Sequence, residues 1–189
     1  LGHNGAGKTT LLNILAGLLL PTSGSASVSG MDVVKDSKKI RRCIGLLPEG
    51  FGFYDTDTAE ENLGYIAALN DISGEDRERR IREALHVVGL DDVKDRKFGG
   101  FSRGMKQRLG VASLLLKDPE VLMLDEPTAG LDPEAAREFK DLMVSLSREH
   151  GKTIVVSTHL LQEVAVLCTD ITIITRGRIM LSGKVNDLK

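Results

Sequence analysis

The stretch that decides the fold is Gly2-His3-Asn4-Gly5-Ala6-Gly7-Lys8-Thr9-Thr10. It fits the pattern G-x-x-x-x-G-K-[ST] of a phosphate-binding loop. Glycines let the backbone wrap closely with its N–H groups pointing inward, and the helix that follows presents its positive end to the phosphates. Lys8 can reach the outer phosphates, and the hydroxyl of Thr9 is a magnesium ligand. The residues that we expect to contact a nucleotide here are Gly2, Asn4, Gly5, Ala6, Gly7, Lys8, Thr9 and Thr10.

A second stretch, Val121-Leu122-Met123-Leu124-Asp125-Glu126, is a run of buried-strand residues that ends in two carboxylates. Such a strand places its acids at the carboxyl edge of a parallel sheet, where the ligands of open α/β sheets bind. Two neighbouring acids in isolation also fit a simple strand end. Beside a phosphate-binding loop, they predict that Asp125 holds Mg²⁺, directly or through water, and that Glu126 polarises the attacking water.

The composition is that of a mixed globular chain, with 189 residues of which 41% are hydrophobic and 28% are charged. Its 25 Lys and Arg against 27 Asp and Glu give a net charge of −2, which argues against a protein that coats nucleic acid. The signs alternate through 75–83, as on a solvated helix face, and we expect Glu75 to pair with Arg79 and Glu78 with Arg82. The only two cysteines form no Cys-x-x-Cys pair, so neither a disulfide framework nor a zinc site is expected.

Helical patterns alternate with short β-rich runs, which predicts an α/β fold with a mostly parallel sheet flanked by helices. Thr58 and Glu61 are placed as a capping box at the start of one helix. The predicted strands are 44–47, 121–124, 153–156, 171–175 and 178–181. The predicted helices are 8–18, 58–69, 74–88, 102–116, 133–149 and 160–167. We expect a single domain over 1–189, with a nucleotide-binding core at 1–53 and 117–189 and an inserted helical subdomain at 54–116.

Four shorter motifs accompany the loop and the acidic strand, in a fixed order along the chain. They are Ile44-Gly45-Leu46-Leu47-Pro48-Glu49, Phe101-Ser102-Arg103-Gly104-Met105, Ala129-Gly130-Leu131-Asp132 and Ser157-Thr158-His159. In this order and spacing they resemble the Q-loop, the signature usually written LSGGQ, the D-loop and the switch histidine of the ATP-binding cassette, the nucleotide-binding domain of ABC transporters. The resemblance covers essentially the whole chain and implies a P-loop NTPase core.

The resemblance implies an ATPase that uses ATP and Mg²⁺. Glu126 would be the general base or water-positioning residue, and His159 would contact the γ-phosphate and help to hold the water. Lys8 would stabilise charge on the β- and γ-phosphates. Thr9, Asp125 and Glu49 would surround the Mg²⁺. Phosphoryl transfer depends mostly on positioning and electrostatics, so no covalent enzyme intermediate is expected.

The signature implies a partner. Ser102 is placed as a helix N-cap, and the free N–H groups after it form an anion site. In the resembled family this site meets the γ-phosphate bound by a second nucleotide-binding domain, so that a dimer sandwiches each ATP. A membrane-spanning permease would convert dimer closure and opening into transport, which places the chain at the cytoplasmic face of the membrane. The residues expected to reach the partner's nucleotide are Ser102, Arg103, Gly104, Met105 and Asp132.

Three residues depart from the family pattern. Glu49 stands where Gln is usual, and we hypothesise that its carboxylate strengthens metal coordination. Arg103 replaces a glycine of the signature, where it either adds a charge-assisted phosphate contact or points to solvent. Met105 replaces a glutamine. These variants look most like cassettes of prokaryotic exporters.

The chain begins at Leu1, immediately before the loop motif, with only one residue of the hydrophobic strand that aims such a loop. We therefore expect a fragment that lacks its N-terminal end. In the resembled family that end supplies an aromatic residue that stacks on adenine, an antiparallel β layer, and the strand leading into the loop.

Other functions remain as alternatives. A DNA-maintenance ATPase would carry long insertions between loop and signature, whereas the interval from Lys8 to Ser102 holds one compact helical segment. A ribosome-associated relative with two tandem cassettes is harder to distinguish from a transporter cassette by sequence. A catalytically impaired module could serve only for dimerisation, although Lys8, Asp125, Glu126 and His159 argue against it. A GTPase is disfavoured because no Asn-Lys-x-Asp motif occurs.

Overall fold

The structure, a computed structural model, describes residues 1–161, 164 and 167–188. The helices of this part of the chain are α1 (Lys8–Leu15), α2 (Ser37–Cys43), α3 (Ala59–Leu69), α4 (Gly74–Val87), α5 (Arg103–Leu115) and α6 (Pro133–Arg148). Its strands are β1 (Ser27–Val28), β2 (Met31–Asp32), β3 (Ile44–Leu47), β4 (Val121–Asp125), β5 (Thr153–Ser157), β6 (Asp170–Thr175) and β7 (Arg178–Lys184). Short 3-10 turns occupy Asp91–Val93, Phe98–Gly100 and Val185–Leu188.

A three-stranded parallel sheet of order β3-β4-β5 positions the acidic residues. β4 is its central strand and is buried along its whole length. Asp125, at the end of β4, lies opposite Ser157, at the end of β5. β6 and β7 form a separate antiparallel hairpin, and so do β1 and β2. The predicted α/β fold with a mostly parallel sheet and flanking helices is confirmed.

An apolar cluster joins the sheet to the helix that follows the phosphate-binding loop. It includes Leu12 of α1, Ile40 of α2 and Met123 of β4, all buried. Burying an aliphatic side chain of this size contributes roughly 1.5–3 kcal/mol. Because α1 begins at Lys8, this packing holds the loop next to the carboxyl ends of the strands.

Most predicted elements recur within one to three residues of their predicted bounds. α1 ends at Leu15 rather than at residue 18, because Gly17 adopts left-handed backbone (φ 66°) and terminates the helix. α2 and the β1–β2 hairpin were not predicted, because each is too short to show a clear period. The helix predicted at 160–167 lies partly outside the described residues.

The chain divides into two compact units. The first comprises Leu1–Glu49, Glu120–Pro127 and Met143–Lys189, and it contains the parallel sheet. The second comprises Gly50–Pro119 and Thr128–Leu142. These bounds differ from the predicted ones mainly at 128–142, which group with the helical unit rather than with the core. The reason is that the boundary falls inside α6, between Leu142 and Met143, and no loop or composition change marks that point in the sequence.

The second unit is built on α3, α4 and α5, which pack on one another through buried side chains such as Leu63, Leu85 and Leu109. The capping box at the start of α3 is as predicted. The Thr58 hydroxyl accepts a hydrogen bond from the Glu61 N–H at 3.1 Å, and the Glu61 carboxylate accepts one from the Thr58 N–H at 2.7 Å.

The ion pairs on α4 differ from the predicted ones. Arg79 pairs with Asp76 and with Glu83, so the predicted partner Glu75 is wrong. Arg79 lies between two acids on the same helix face, three residues after one and four before the other, and both are within its reach. No ion pair joins Glu78 to Arg82 in the part of the chain that the structure describes. Within the same residues, no helix combines the length and apolar character needed to cross a lipid bilayer.

Candidate nucleotide-binding and hydrolytic site

The phosphate-binding loop surrounds a cavity of about 360 Å³. Gly5 and Gly7 adopt left-handed backbone, with φ of 77° and 103°, which residues with a Cβ rarely adopt. α1 starts at Lys8 with no side-chain cap and no acidic residue in its first turn. Its first N–H groups are therefore available to an anion. The cavity is lined by Asn4, Gly5, Ala6, Gly7, Lys8, Thr9, Thr10, Glu49 and Glu126.

The phosphate-binding loop contacts the β6–β7 hairpin and the residue that follows β5, all in the same unit. A Cβ placed on Gly2 would lie 2.4 Å from the carbonyl oxygen of Ile174, so only glycine fits there. The Gly2 N–H donates to the Thr158 carbonyl at 3.2 Å, and the Gly177 N–H donates to the Ala6 carbonyl at 2.9 Å. The β6–β7 turn and the end of β5 thus hold both ends of the loop.

Lys8 is almost completely buried and its ammonium folds back over the loop. Its Nζ donates to the Gly2 carbonyl at 2.5 Å and to the His3 carbonyl at 3.2 Å. The same atom lies 3.1 Å from Oε1 of Glu126. The only loop cation is therefore held in place by three oxygens and faces the cavity that the loop encloses.

Asp125 lies at the end of β4 and is 3% exposed. Its Oδ2 accepts a hydrogen bond from the Thr9 hydroxyl at 2.5 Å, and its Oδ1 accepts one from the Ser157 hydroxyl. The two residues predicted to hold Mg²⁺ from the loop and from the strand are therefore adjacent. Ser157 was missed as a partner of this carboxylate, because the sequence does not show which strands are neighbours and so does not place Ser157 opposite Asp125.

Glu126 follows Asp125 in left-handed backbone (φ 49°), which costs a residue other than glycine about 1–3 kcal/mol. This turn directs its side chain into the cavity, where only 9% of that side chain is exposed. Oε2 lies 2.8 Å from Nδ1 of His159. Oε1 is buried and has no hydrogen-bond partner among the described residues, with the Lys8 ammonium as its charge partner. A buried acceptor of this kind is free to receive a hydrogen bond from a bound molecule.

His159 lies just after β5 and its side chain is 43% exposed. Its contact with the site is through Nδ1, which lies 2.8 Å from Oε2 of Glu126. The structure therefore brings together a cation, two carboxylates and an imidazole from three separate stretches of sequence. Glu49 lines the same cavity from the segment after β3.

The donor set fits a magnesium ion and a triphosphate. Mg²⁺ takes oxygen ligands, commonly one or two carboxylates together with phosphate oxygens. The Thr9 hydroxyl and the Asp125 carboxylate supply such oxygens 2.5 Å apart, and Glu49 adds a carboxylate to the cavity wall. The uncapped N-terminus of α1 and the ammonium of Lys8 match phosphate oxygens.

The signature residues lie in the other unit, at the start of α5. Ser102 is the N-cap of this helix, and its hydroxyl accepts a hydrogen bond from the Met105 N–H at 3.2 Å, as predicted. Ser102 and Arg103 are exposed, and the first turn of α5 carries no acidic residue. A Cβ on Gly104 would lie 2.9 Å from that of Ala135, so α5 and the start of α6 are in close contact.

Arg103 is exposed, and its guanidinium lies close to the segment that precedes α6. A Cβ built on Gly130 would lie 2.3 Å from its Nη1, so the guanidinium lies directly over the Gly130 backbone. Two residues further on, Asp132 caps α6 by accepting a hydrogen bond from the Ala135 N–H at 2.9 Å. Arg103 and Asp132 are thus both tied to the segment that leads into α6.

The fold and the site define a P-loop nucleotide-binding protein with a paired-carboxylate site at the edge of a parallel sheet. The family model described as "ABC transporter" matches residues 1–129. The chain belongs to the ABC transporter family and is an ATP-binding domain of that family.

Three comparisons carry the family assignment further. The chain is 39% identical over 189 residues to the ABC transporter ATP-binding protein NatA of Bacillus subtilis, covering 100% of this chain and 76% of NatA. It is 45% identical over 189 residues to the bacitracin transport ATP-binding protein BcrA of Bacillus licheniformis, covering all of this chain and 61% of BcrA. The dimeric ATP-binding cassette MJ0796, solved in a post-hydrolysis state with ADP and Pi, is 30% identical with a TM-score of 0.83, covering 97% of this chain and 83% of that one.

Proposed function

We propose that this site binds and hydrolyses Mg·ATP, and that the energy drives transport across a membrane. The observation that carries the proposal is the environment of Glu126 Oε1. This oxygen is buried, has no hydrogen-bond partner among the described residues, and lies 3.1 Å from the ammonium of the phosphate-binding loop. A carboxylate oxygen aimed at a phosphate site in this way suits the orientation and deprotonation of an attacking water.

The residues act on the γ-phosphate from different sides. The loop N–H groups and Lys8 bind its oxygens and stabilise the charge that develops there. Glu126 orients the water and accepts its proton at Oε1, while His159 holds the other carboxylate oxygen and contacts the γ-phosphate. Thr9, Asp125 and Glu49 would hold Mg²⁺, which would supply positive charge beside the β- and γ-phosphates when bound. These groups come from a loop tied by backbone hydrogen bonds and from segments at the ends of strands, which suits catalysis by positioning.

The exchange Glu126→Gln tests this function. It keeps the size of the side chain and removes its basicity, so ATP turnover should fall by about 10²–10⁴-fold, the usual effect of one general acid–base group. ATP binding should persist, and the ATP-bound dimer should accumulate. Phosphate release, nucleotide binding and the mass of the complex are the measurements. Glu120→Gln, at an exposed position before β4, is the matched control and should behave like the wild type. Unchanged turnover in Glu126→Gln would move the catalytic base to another residue.

A second nucleotide-binding domain is the proposed partner for the signature. Ser102, Arg103, Gly104, Met105 and Asp132 lie in a different unit from Lys8 and Glu126. Ser102, the N-cap of α5, is exposed at the surface, and the first turn of this helix carries no acidic residue. We propose that this helix end meets the γ-phosphate held by a second copy or a close relative. The dimeric state of MJ0796, a protein of the same fold, supports this arrangement.

An integral-membrane permease is the proposed second partner, with the chain at the cytoplasmic face of the membrane and export as the direction of transport. The names of NatA and of the bacitracin transport protein BcrA support it. Affinity purification of the tagged, intact protein from detergent-solubilised membranes tests the proposal. A multi-helix membrane protein should co-purify in stoichiometric amount. Recovery with ribosomes or DNA instead would favour the non-transport alternatives.

A further inference from the structure

Ser157, at the carboxyl end of β5, joins the two carboxylate residues of the site. It is 5% exposed and lies opposite Asp125 in the parallel register. Its hydroxyl is hydrogen-bonded to Asp125 Oδ1 and, at 3.1 Å, to the backbone N–H of Glu126. Its own carbonyl oxygen accepts from the same Glu126 N–H, also at 3.1 Å. One residue therefore contacts both members of the acidic pair.

The direction of these hydrogen bonds follows from the donor and acceptor count. A serine hydroxyl has one hydrogen to donate and lone pairs to accept with. The Glu126 N–H can only donate, so the hydroxyl accepts from it and its single hydrogen goes to Asp125. The ionised carboxylate of Asp125 accepts it, and this charge-assisted bond is the stronger kind.

Two consequences follow for the site. With Oδ1 held by Ser157, the other oxygen of Asp125 is directed at the Thr9 hydroxyl, where Mg²⁺ is proposed to bind. The backbone N–H of Glu126 donates to both the carbonyl and the hydroxyl oxygen of Ser157. These two hydrogen bonds hold the backbone of Glu126, which has a strained left-handed conformation. The strand pairing alone would supply only the carbonyl acceptor.

The geometry points to Ser157 as a positioning residue for ATP hydrolysis, which fixes the metal-binding oxygen of Asp125 and the strained backbone of Glu126 through one hydroxyl. This inference rests on the proposed function. Ser157 touches neither substrate nor metal in this role and acts through its two neighbours. Groups that orient a metal ligand in this way affect metal affinity or activity by about 10–100-fold.

Ser157→Ala in the intact protein tests this role with two readouts. The Mg²⁺ concentration that gives half-maximal ATPase activity should rise by about 10–100-fold, whereas binding of ATP in the presence of a chelator should stay unchanged. Separately, the Glu126 amide should exchange its hydrogen faster in protein without metal or nucleotide, because one of its two acceptors is gone. Ser157→Thr retains the hydroxyl and should restore both properties.

The control is Ser145→Ala on α6, which also loses one side-chain hydrogen bond, to Glu149, and should change neither readout. Unchanged hydrogen exchange of the Glu126 amide in Ser157→Ala would overturn the inference. So would a lower ATPase rate in this variant combined with the wild-type Mg²⁺ requirement. If Ser157→Ala does not fold, Ser157→Cys keeps the volume with a weaker donor and is judged by the same criteria. The amide exchange needs no ATP turnover, so it separates a failure of this inference from a failure of the proposed hydrolysis.

Discussion

Single residues of this chain are placed by constraints that act over short distances. Gly2 is required because the Ile174 carbonyl leaves no space for a Cβ, and Glu126 faces the cavity because its backbone turns into the left-handed region. Buried opposite charges on Lys8 and Glu126 neutralise each other at 3.1 Å. Removing one charge of such a pair leaves the other uncompensated, which is costly in a buried site.

Glu49 gives a prediction at this scale. Glu49 lines the same cavity as Thr9. If it strengthens metal binding, Glu49→Gln should raise the Mg²⁺ concentration for half-maximal ATPase activity by about tenfold, the lower part of the range for residues around a bound metal. Glu60→Gln, which removes an exposed carboxylate 3.6 Å from Lys94, is the control. An unchanged Mg²⁺ dependence in Glu49→Gln would remove Glu49 from the metal site.

The types and spacing of the site residues were predictable, but their partners were not. The loop pattern and the acids after an apolar strand follow from rules that relate sequence to local geometry. The bond from Ser157 to Asp125 depends on which strands are neighbours, and the position of Arg103 over Gly130 depends on how α5 meets the segment before α6. Such contacts join residues that are far apart in sequence, and no local pattern encodes them.

The start of α3 and the end of α1 are set by a capping box and by a glycine, rather than by the helix propensity of the residues. α3 starts at a complete capping box, and α1 stops where Gly17 turns left-handed. Both signals are local, and the capping box was predicted correctly. α2 and the β1–β2 hairpin are positioned by tertiary packing: Ile40 and Val33 are buried in the cluster on the sheet. Short elements held in this way carry too little periodicity to be predicted.

The capping box gives a prediction at the element scale. Thr58→Ala removes the acceptor for the Glu61 N–H, and the free energy of unfolding should fall by about 1 kcal/mol. Urea unfolding monitored by helical circular dichroism measures it. Thr56→Ala, whose hydroxyl only reaches the neighbouring Asp57, is the control and should be nearly neutral. Equal stability of Thr58→Ala and wild type at pH 7 would contradict the capping role.

The same box should respond to pH through Glu61. The Thr58 N–H, followed by the Thr58 side chain, holds the pKa of the Glu61 carboxyl below its usual value of 4.5. Its contribution to stability is therefore present above that value and is lost as the pH falls through the lowered pKa. The destabilisation caused by Glu61→Gln should accordingly shrink in acid.

The whole molecule keeps its two groups of site residues in separate compact units. Lys8, Asp125, Glu126 and His159 lie in the unit with the parallel sheet, and the signature lies in the helical unit. The first unit carries the phosphate-binding loop with Lys8. The second carries the N-terminus of α5, whose first turn has no acidic residue. In the proposed dimer, each nucleotide would use the loop of one copy and Ser102 of the other.

A mixture of two inactive variants tests this arrangement most directly. Lys8→Ala disables the loop, and Ser102→Asp keeps a good helix cap while placing negative charge against the γ-phosphate. Each variant alone should lack ATPase activity. Mixed in equal amounts, they form some dimers with one intact site, and about one quarter of the wild-type activity should return, since half of randomly formed dimers are mixed and each has one of two sites. Activity that stays at the level of the separate variants, although mixed dimers form, would contradict the account.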